Sequence, residues 1–155
     1  MEKLDAIDLK ILEHLQANSD ITTKDLARKI ALSPTPVYER VRRLEKEGYI
    51  SRYMALLNRE KLGKHLIVFC HVNLKEHARV TGKLFEDEIV NLEEVTECYS
   101  ISGDYDFMLK VVVKDMKAYQ NFLMDKLGAI HCIASSHSTF VMGEVKQSYG
   151  IPLDR

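Results

Sequence analysis

Cysteine is scarce: Cys70, Cys98 and Cys132 are the only three among 155 residues, far apart and without a CxxC pair. An odd, scattered set excludes a disulfide framework and offers no zinc knuckle, so buried thiols are expected. No Gly-rich phosphate loop occurs, which removes the commonest nucleotide-handling motif. The longest uncharged apolar stretch, residues 66–74 (LIVFCHVNL), is too short to cross a bilayer as a helix. No apolar run follows Met1-Glu2-Lys3-Leu4-Asp5, so no secretory leader is expected and a cytoplasmic location is. Net charge is also nearly absent, at -1. That balance conceals an asymmetry, because residues 1–64 carry 13 Lys and Arg against 10 Asp and Glu (+3) and the remainder 9 against 13 (-4). A bias of this size does not by itself name a nucleic-acid partner.

What is present is a chain with 46% apolar residues, enough for one medium core or two small ones. Its organising stretch is residues 33–48, SPTPVYERVRRLEKEG. Ser33 or Thr35 can cap a helix there, Pro34 and Pro36 suit its first turn, and Gly48 suits a left-handed stop. Val37, Val41 and Leu44 form one apolar stripe, with Arg40, Arg42, Arg43 and Lys46 projecting away from it. Taken alone, this is equally a solvated helix whose arginines pair with Glu39, Glu45 and Glu47.

Two shorter helical patterns precede it. Asp5 with Asp8 marks the start of a first helix that buries Ile7, Ile11, Leu12 and Leu15; Thr22 with Asp25 starts a second that buries Leu26, Ala27 and Ile30. Ala31 and Leu32 leave only a tight turn before Ser33. Three short helices so connected predict a helix-turn-helix unit whose third helix enters the major groove of DNA, against the alternative of a generic three-helix bundle. Phosphate contacts are assigned to Arg28, Arg52 and the helix start at Ser33, and base-edge contacts to Thr35, Tyr38, Glu39, Arg42 or Arg43. Residues 49–53 are expected to form a short extended wing. Residues 58–64 (NREKLGK) read as a charged linker, giving domains over 1–57 and 65–155.

Beyond the linker the pattern is strand, helix, strand, strand, helix, strand: 65–74, 78–89 with Val80, Leu84, Phe85 and Ile89 as apolar positions, 95–102, 106–114, a helix after Asp115, and 136–145. This is the order of a ferredoxin-like βαββαβ sandwich, so the expected class is α+β. Leu66-Ile67-Val68-Phe69 and Val111-Val112-Val113 are apolar on both faces, which predicts a second copy covering the open face and hence a homodimer. No enzyme is expected. In a strand His137 points away from Ser136 and Ser138, so no nucleophile and base form there, and His65, His71 and His77 complete no metal set.

These residues resemble the Lrp/AsnC, or feast/famine, family of regulators. The likeness runs over nearly the whole chain, most specifically in LDAIDLKILEHLQ, SPTPVYERVRRLEKEGYI, SGDYDFMLKV and VMGEVKQS. It implies a transcription regulator that binds double-stranded DNA, dimerises and often forms octamers, needs no cofactor or metal, and takes a free amino acid as effector, leucine or another apolar one among the candidates. It also implies an effector site at Gly103, Asp104, Tyr105 and Asp106 with Ser136, Ser138 and Thr139. Asp104 and Asp106 can accept from an α-ammonium while the hydroxyls donate to an α-carboxylate, although Gly103 and Asp104 equally suit a plain hairpin turn. One departure stands out: His131-Cys132-Ile133 occupies the place where the family usually has Pro-Gly-Val, so effector identity is not carried over. Alternative readings are an amino-acid sensor whose basic helix contacts protein, and a chromatin-like DNA-wrapping protein without an effector.

Overall fold

A computed structural model describes residues 4–154; residues 1–3 and 155, the outermost ends of the two expected domains, lie outside the described residues. The elements are α1 (Ala6–Ala17), α2 (Thr23–Lys29), α3 (Pro34–Lys46), β1 (Leu66–Leu74), α4 (Arg79–Ile89), β2 (Val95–Ser100), β3 (Phe107–Val113), α5 (Met116–Asn121) and β4 (Ile133–Phe140). They fall into two compact units, one holding the residues up to Leu56 together with those from Lys146 onward, the other Leu57–Val145. The segment from Lys146 onward, which the sequence reading placed in the C-terminal domain, thus groups with the first unit.

In the first unit α1 starts on a reciprocal cap. Asp5 Oδ1 accepts from the N–H groups of Ile7 (2.9 Å) and Asp8 (2.8 Å), and Asp8 Oδ2 accepts from that of Asp5 (3.1 Å). Thr22 caps α2 by accepting from the Asp25 N–H at 3.1 Å. The turn into α3 places Ala31 at φ 56, and the Leu32 N–H donates to Ala27 O at 2.9 Å. Gly48 closes α3 in the left-handed conformation at φ 80, where a Cβ would be strained. Ile11, Leu15, Leu26, Ala27, Val37 and Leu44 form the core, with Ile7, Leu12, Ile30 and Val41 half-buried around it. Burying Val37 and Leu44 completely stabilises α3 against its neighbours by about 1.5–3 kcal/mol each. Residues 49–57 bend and run on without a ladder partner, so the expected wing is an irregular segment rather than a strand.

The second unit is a four-stranded antiparallel sheet in the order β2-β3-β1-β4, the ferredoxin-like topology. Val68, Cys70, Val72 and Leu74 of β1 and Phe107, Leu109, Val111 and Val113 of β3 pack on Phe85, Ile89, Tyr119 and Phe122 from the helices. Three expectations are corrected here. Val80 and Leu84 are exposed, because α4 turns only Phe85 and Ile89 onto the sheet. The last strand begins at Ile133 and ends at Phe140, before the expected 136–145 range closes, and residues 141–154 are irregular. Of the thiols, Cys70 is buried, Cys132 half-buried and Cys98 exposed.

Asp115 caps α5 by accepting from the Ala118 N–H at 2.9 Å. The helix continues as a π-helical turn (Phe122–Lys126) and a 3-10 turn (Leu127–Ala129). A Cβ on Gly128 would stand 2.8 Å from the Leu123 carbonyl oxygen, which is backbone and cannot swing aside. Gly128→Ala is therefore expected to destabilise the second unit by about 1–3 kcal/mol, read as a lowered melting temperature.

Candidate nucleic-acid interface and effector site

The apolar stripe of α3 decides which of its side chains remain outside. With Val37, Val41 and Leu44 turned inward, Thr35, Tyr38, Glu39 and Arg42 fall at i, i+3, i+4 and i+7 on the opposite face and are all exposed. Arg42 is 65% exposed and, among the described residues, holds only an i, i+3 pair to Glu45 at 2.9 Å. At the helix start Ser33 occupies the cap position but its hydroxyl makes no capping bond, contrary to one of the two expected caps. Pro34 and Pro36 have no N–H, so Thr35 carries the one free amide among the first three helical positions, aligned with the positive end of the helix dipole. That is the arrangement an anionic oxygen meets at a helix N-terminus.

The other two arginines of α3 do not project away as expected. Arg40 Nη1 donates to Asp8 Oδ1 (2.8 Å) and Asp5 Oδ2 (2.7 Å), and Arg43 Nη2 donates to Asp8 Oδ2. The Asp8 side chain is 1% exposed, and a carboxylate so buried is tolerated only when charge partners saturate it. Two guanidinium groups and an amide do so, which fixes Arg43 as a tie between α1 and α3 and withdraws it from the outer face. Arg28 is exposed and pairs with Asp25; Arg52 is exposed on the irregular segment. On that segment Tyr53 donates to Glu45 Oε1 at 3.0 Å, and burial, with the Glu45 carboxylate beside it, pushes the Tyr53 hydroxyl up to about 12.

In the second unit the seven residues assigned to an effector site divide. Gly103 turns the β2–β3 connection at φ 110. Asp104 is exposed and makes no hydrogen bond or ion pair among the described residues. Asp106 is committed to the scaffold: its carboxylate accepts from the Leu74 N–H at 2.8 Å and meets His77 Nδ1 at 2.9 Å, while its own N–H donates to Val72 O at 3.0 Å. Ser138 lies on the helix side, 2.6 Å from the Tyr119 hydroxyl, and Ser136 shares that face by alternation. Thr139 points to the other face with Tyr105. The assigned hydroxyls therefore do not converge, because the period of two that separates His137 from Ser136 and Ser138 also separates Thr139 from them.

Sequence reasoning passed over what gathers on that open face. His71 and His137 are register partners across β1 and β4, with ring centroids 6.4 Å apart, and Tyr105 lies over His71 at 4.9 Å and near His137 at 6.2 Å. His71 Nδ1 is buried without a partner among the described residues, and Ile67, Phe69, Met108 and Val112 line the same face. The apolar residues were the only available signal; the histidine pair depends on strand register, which no spacing within either strand encodes. Among the described residues no group of three or more His, Cys, Asp or Glu is placed to hold a metal ion. No described helix is long and apolar enough to cross a membrane.

A family profile described as Lrp/AsnC ligand binding domain matches residues 67–151, and one described as winged helix-turn-helix DNA-binding matches residues 4–51. The chain is 42% identical to the leucine-responsive regulatory protein of Klebsiella pneumoniae over 145 residues, 94% of this chain and 88% of that one. It is 42% identical to the Bkd operon transcriptional regulator of Pseudomonas aeruginosa over 153 residues, 99% of this chain and all of that one. Among solved structures it is similar to a Neisseria meningitidis transcriptional regulator in complex with L-Met, at 33% identity and a TM-score of 0.94, covering 98% of both chains. It is also similar to an AsnC family regulator from Agrobacterium tumefaciens, at 36% identity and a TM-score of 0.92, covering 96% of this chain and 97% of that one.

Proposed function

The chain belongs to the Lrp/AsnC family of transcription regulators, which join a DNA-binding helix-turn-helix unit to an amino-acid-binding unit and are not enzymes, and from that premise we propose how its own residues divide the work. The carrying observation is the exposed stripe Thr35, Tyr38, Glu39 and Arg42, bared while Arg40 and Arg43 are consumed internally. The stripe faces base edges, the Thr35 amide takes a phosphate at the helix start, and Arg28 and Arg52 add phosphate contacts on either side. A gel-shift titration against the promoter of its own gene tests this; binding no tighter than to unrelated duplex would overturn it.

A homodimer formed through the open sheet face, assembling further to an octamer, accounts for the apolar character of Ile67, Phe69 and Val112 and for the His71 nitrogen that is without a partner among the described residues. Two recognition helices related by a two-fold axis then read a roughly palindromic site in the cytoplasm. The effector is a free amino acid with an apolar side chain, a choice supported by the methionine complex of the Neisseria protein. In the β2–β3 turn Asp104 accepts from the α-ammonium; Asp106, engaged by the Leu74 N–H and His77, holds the turn against the end of β1. Thermal shift across the free amino acids is expected to show one or more stabilising by about 2.7 kcal/mol at roughly 100 times the dissociation constant, with the effect lost in Asp104→Ala. A response untouched by Asp104→Ala would move the site elsewhere, and no response to any amino acid would favour DNA wrapping without an effector.

A further inference from the structure

The chain passes from the first unit to the second at Leu56 and returns at Lys146. The returning segment has no secondary structure, yet it is read by a specific side chain. Gln16, near the end of α1, donates from Nε2 to the Ile151 carbonyl oxygen at 3.0 Å and accepts at Oε1 from the Ile151 N–H at 3.1 Å. A carboxamide offers the same donor and acceptor pair as a neighbouring strand, so this is a one-residue ladder made by a side chain. Tyr149, Ile151 and Leu153, spaced two apart as in an extended peptide, line a cavity of about 720 Å³ whose other walls include Leu12, Leu15 and residues 49–56. A Cβ on Gly150 would stand 3.3 Å from Gln16 Cδ and Oε1, so the residue beside the ladder leaves room for the amide. Tyr149 and Ile151 remain 54% and 67% exposed, which makes the seat shallow and releasable.

We propose that the groove between α1 and residues 49–56 is a docking site for an extended apolar peptide, and that its occupant is this chain's own residues 149–153, held through Gln16. The occupant orders the irregular segment that bears Arg52 and Tyr53. Tyr53 is bonded to Glu45, and Glu45 to Arg42, so the effect reaches the exposed stripe of α3. The docking stands on the contacts alone; its consequence for DNA rests on the function proposed above.

The test is amide hydrogen exchange on the full chain, on Gln16→Ala and on a chain ending at Val145, each followed by duplex titration. Loss of both Gln16 bonds is expected to speed exchange at Ile151 about ten-fold. Exchange over residues 49–56 should rise in both variants and DNA affinity should fall several-fold. A synthetic peptide of residues 146–155 should restore protection to the shortened chain only at roughly millimolar concentration, since the tether it replaces supplies an effective concentration of that order. Open-chain exchange at Ile151 in the unaltered protein would overturn the docking. Protection that disappears on dilution would assign the groove to a second copy's tail and overturn the own-chain occupant. Intact protection over 49–56 in the shortened chain would overturn the ordering role. The exchange readout needs no DNA, so failure of the docking and failure of the DNA reading are distinguishable.

Discussion

Asp8→Ala is expected to destabilise the helix-turn-helix unit by about 3–5 kcal/mol, enough to abolish DNA binding at ordinary growth temperature. The size follows from where Asp8 sits. Its carboxylate is almost wholly buried, and it is the common acceptor for Arg40, Arg43 and the Asp5 N–H. Truncation removes half of the reciprocal cap of α1 and leaves two partly buried guanidinium groups short of a counter-charge. The measurement is denaturant unfolding of the full chain, in which a transition belonging to the first unit should move to lower denaturant while that of the sheet unit stays in place. Equal movement of both, or neither, would contradict the assignment.

The same cluster sets an acid limit. Burial pushes the Asp8 carboxyl up, but hydrogen bonds from Arg43, Asp5 and Arg40 outweigh it and hold the group below its ordinary value; Asp5 is held down chiefly by the Asp8 N–H, with Arg40 assisting. A carboxyl whose folded pKa is depressed contributes stability that is fully present above its unfolded value, near 4, and is lost as pH falls through the folded value. The first unit should therefore keep a constant stability from neutral pH to about 5 and lose it progressively below 4. In Asp8→Asn much of that slope should be missing, because one of the two titrating groups is gone.

Asp8 also shows what local pattern carries and what it does not. The Asp5 and Asp8 spacing announces a capping box, since caps are written in four consecutive residues. That the second carboxylate also receives two arginines from a helix thirty-odd residues away depends on how α1 and α3 cross, which no window contains. Periodicity likewise puts Val37 and Leu44 inside, yet of the four apolar positions it marks on the helix over 78–89 only Phe85 and Ile89 are buried, and Val80 and Leu84 stay exposed. The sheet order follows from the succession of elements, whereas the pairing of His71 with His137 is a matter of register. Of the proposed effector site the sequence shows only the turn at Gly103 and Asp104; which β4 hydroxyls share its face is set by the alternation of that strand from its actual start at Ile133.

The crossing of α1 and α3 also separates two arginines that look equivalent in the run Val41-Arg42-Arg43-Leu44. Arg42→Ala should leave melting nearly unchanged, because its only described tie is an exposed pair to Glu45, worth about 0.3–0.5 kcal/mol. Its effect should fall on DNA: a loss of about 1–3 kcal/mol in specific binding, or roughly one to two powers of ten in Kd. The salt dependence then identifies the contact. A slope reduced by about 0.9 marks a lost phosphate, and relaxed preference at a single base pair marks a lost base edge. Arg43→Ala should behave in the opposite sense, lowering the melting temperature through Asp8 while the molecules that remain folded bind duplex with nearly unaltered affinity and slope. Full affinity in a folded Arg42→Ala protein would mean that the stripe of Thr35, Tyr38, Glu39 and Arg42 is not the face that enters the groove.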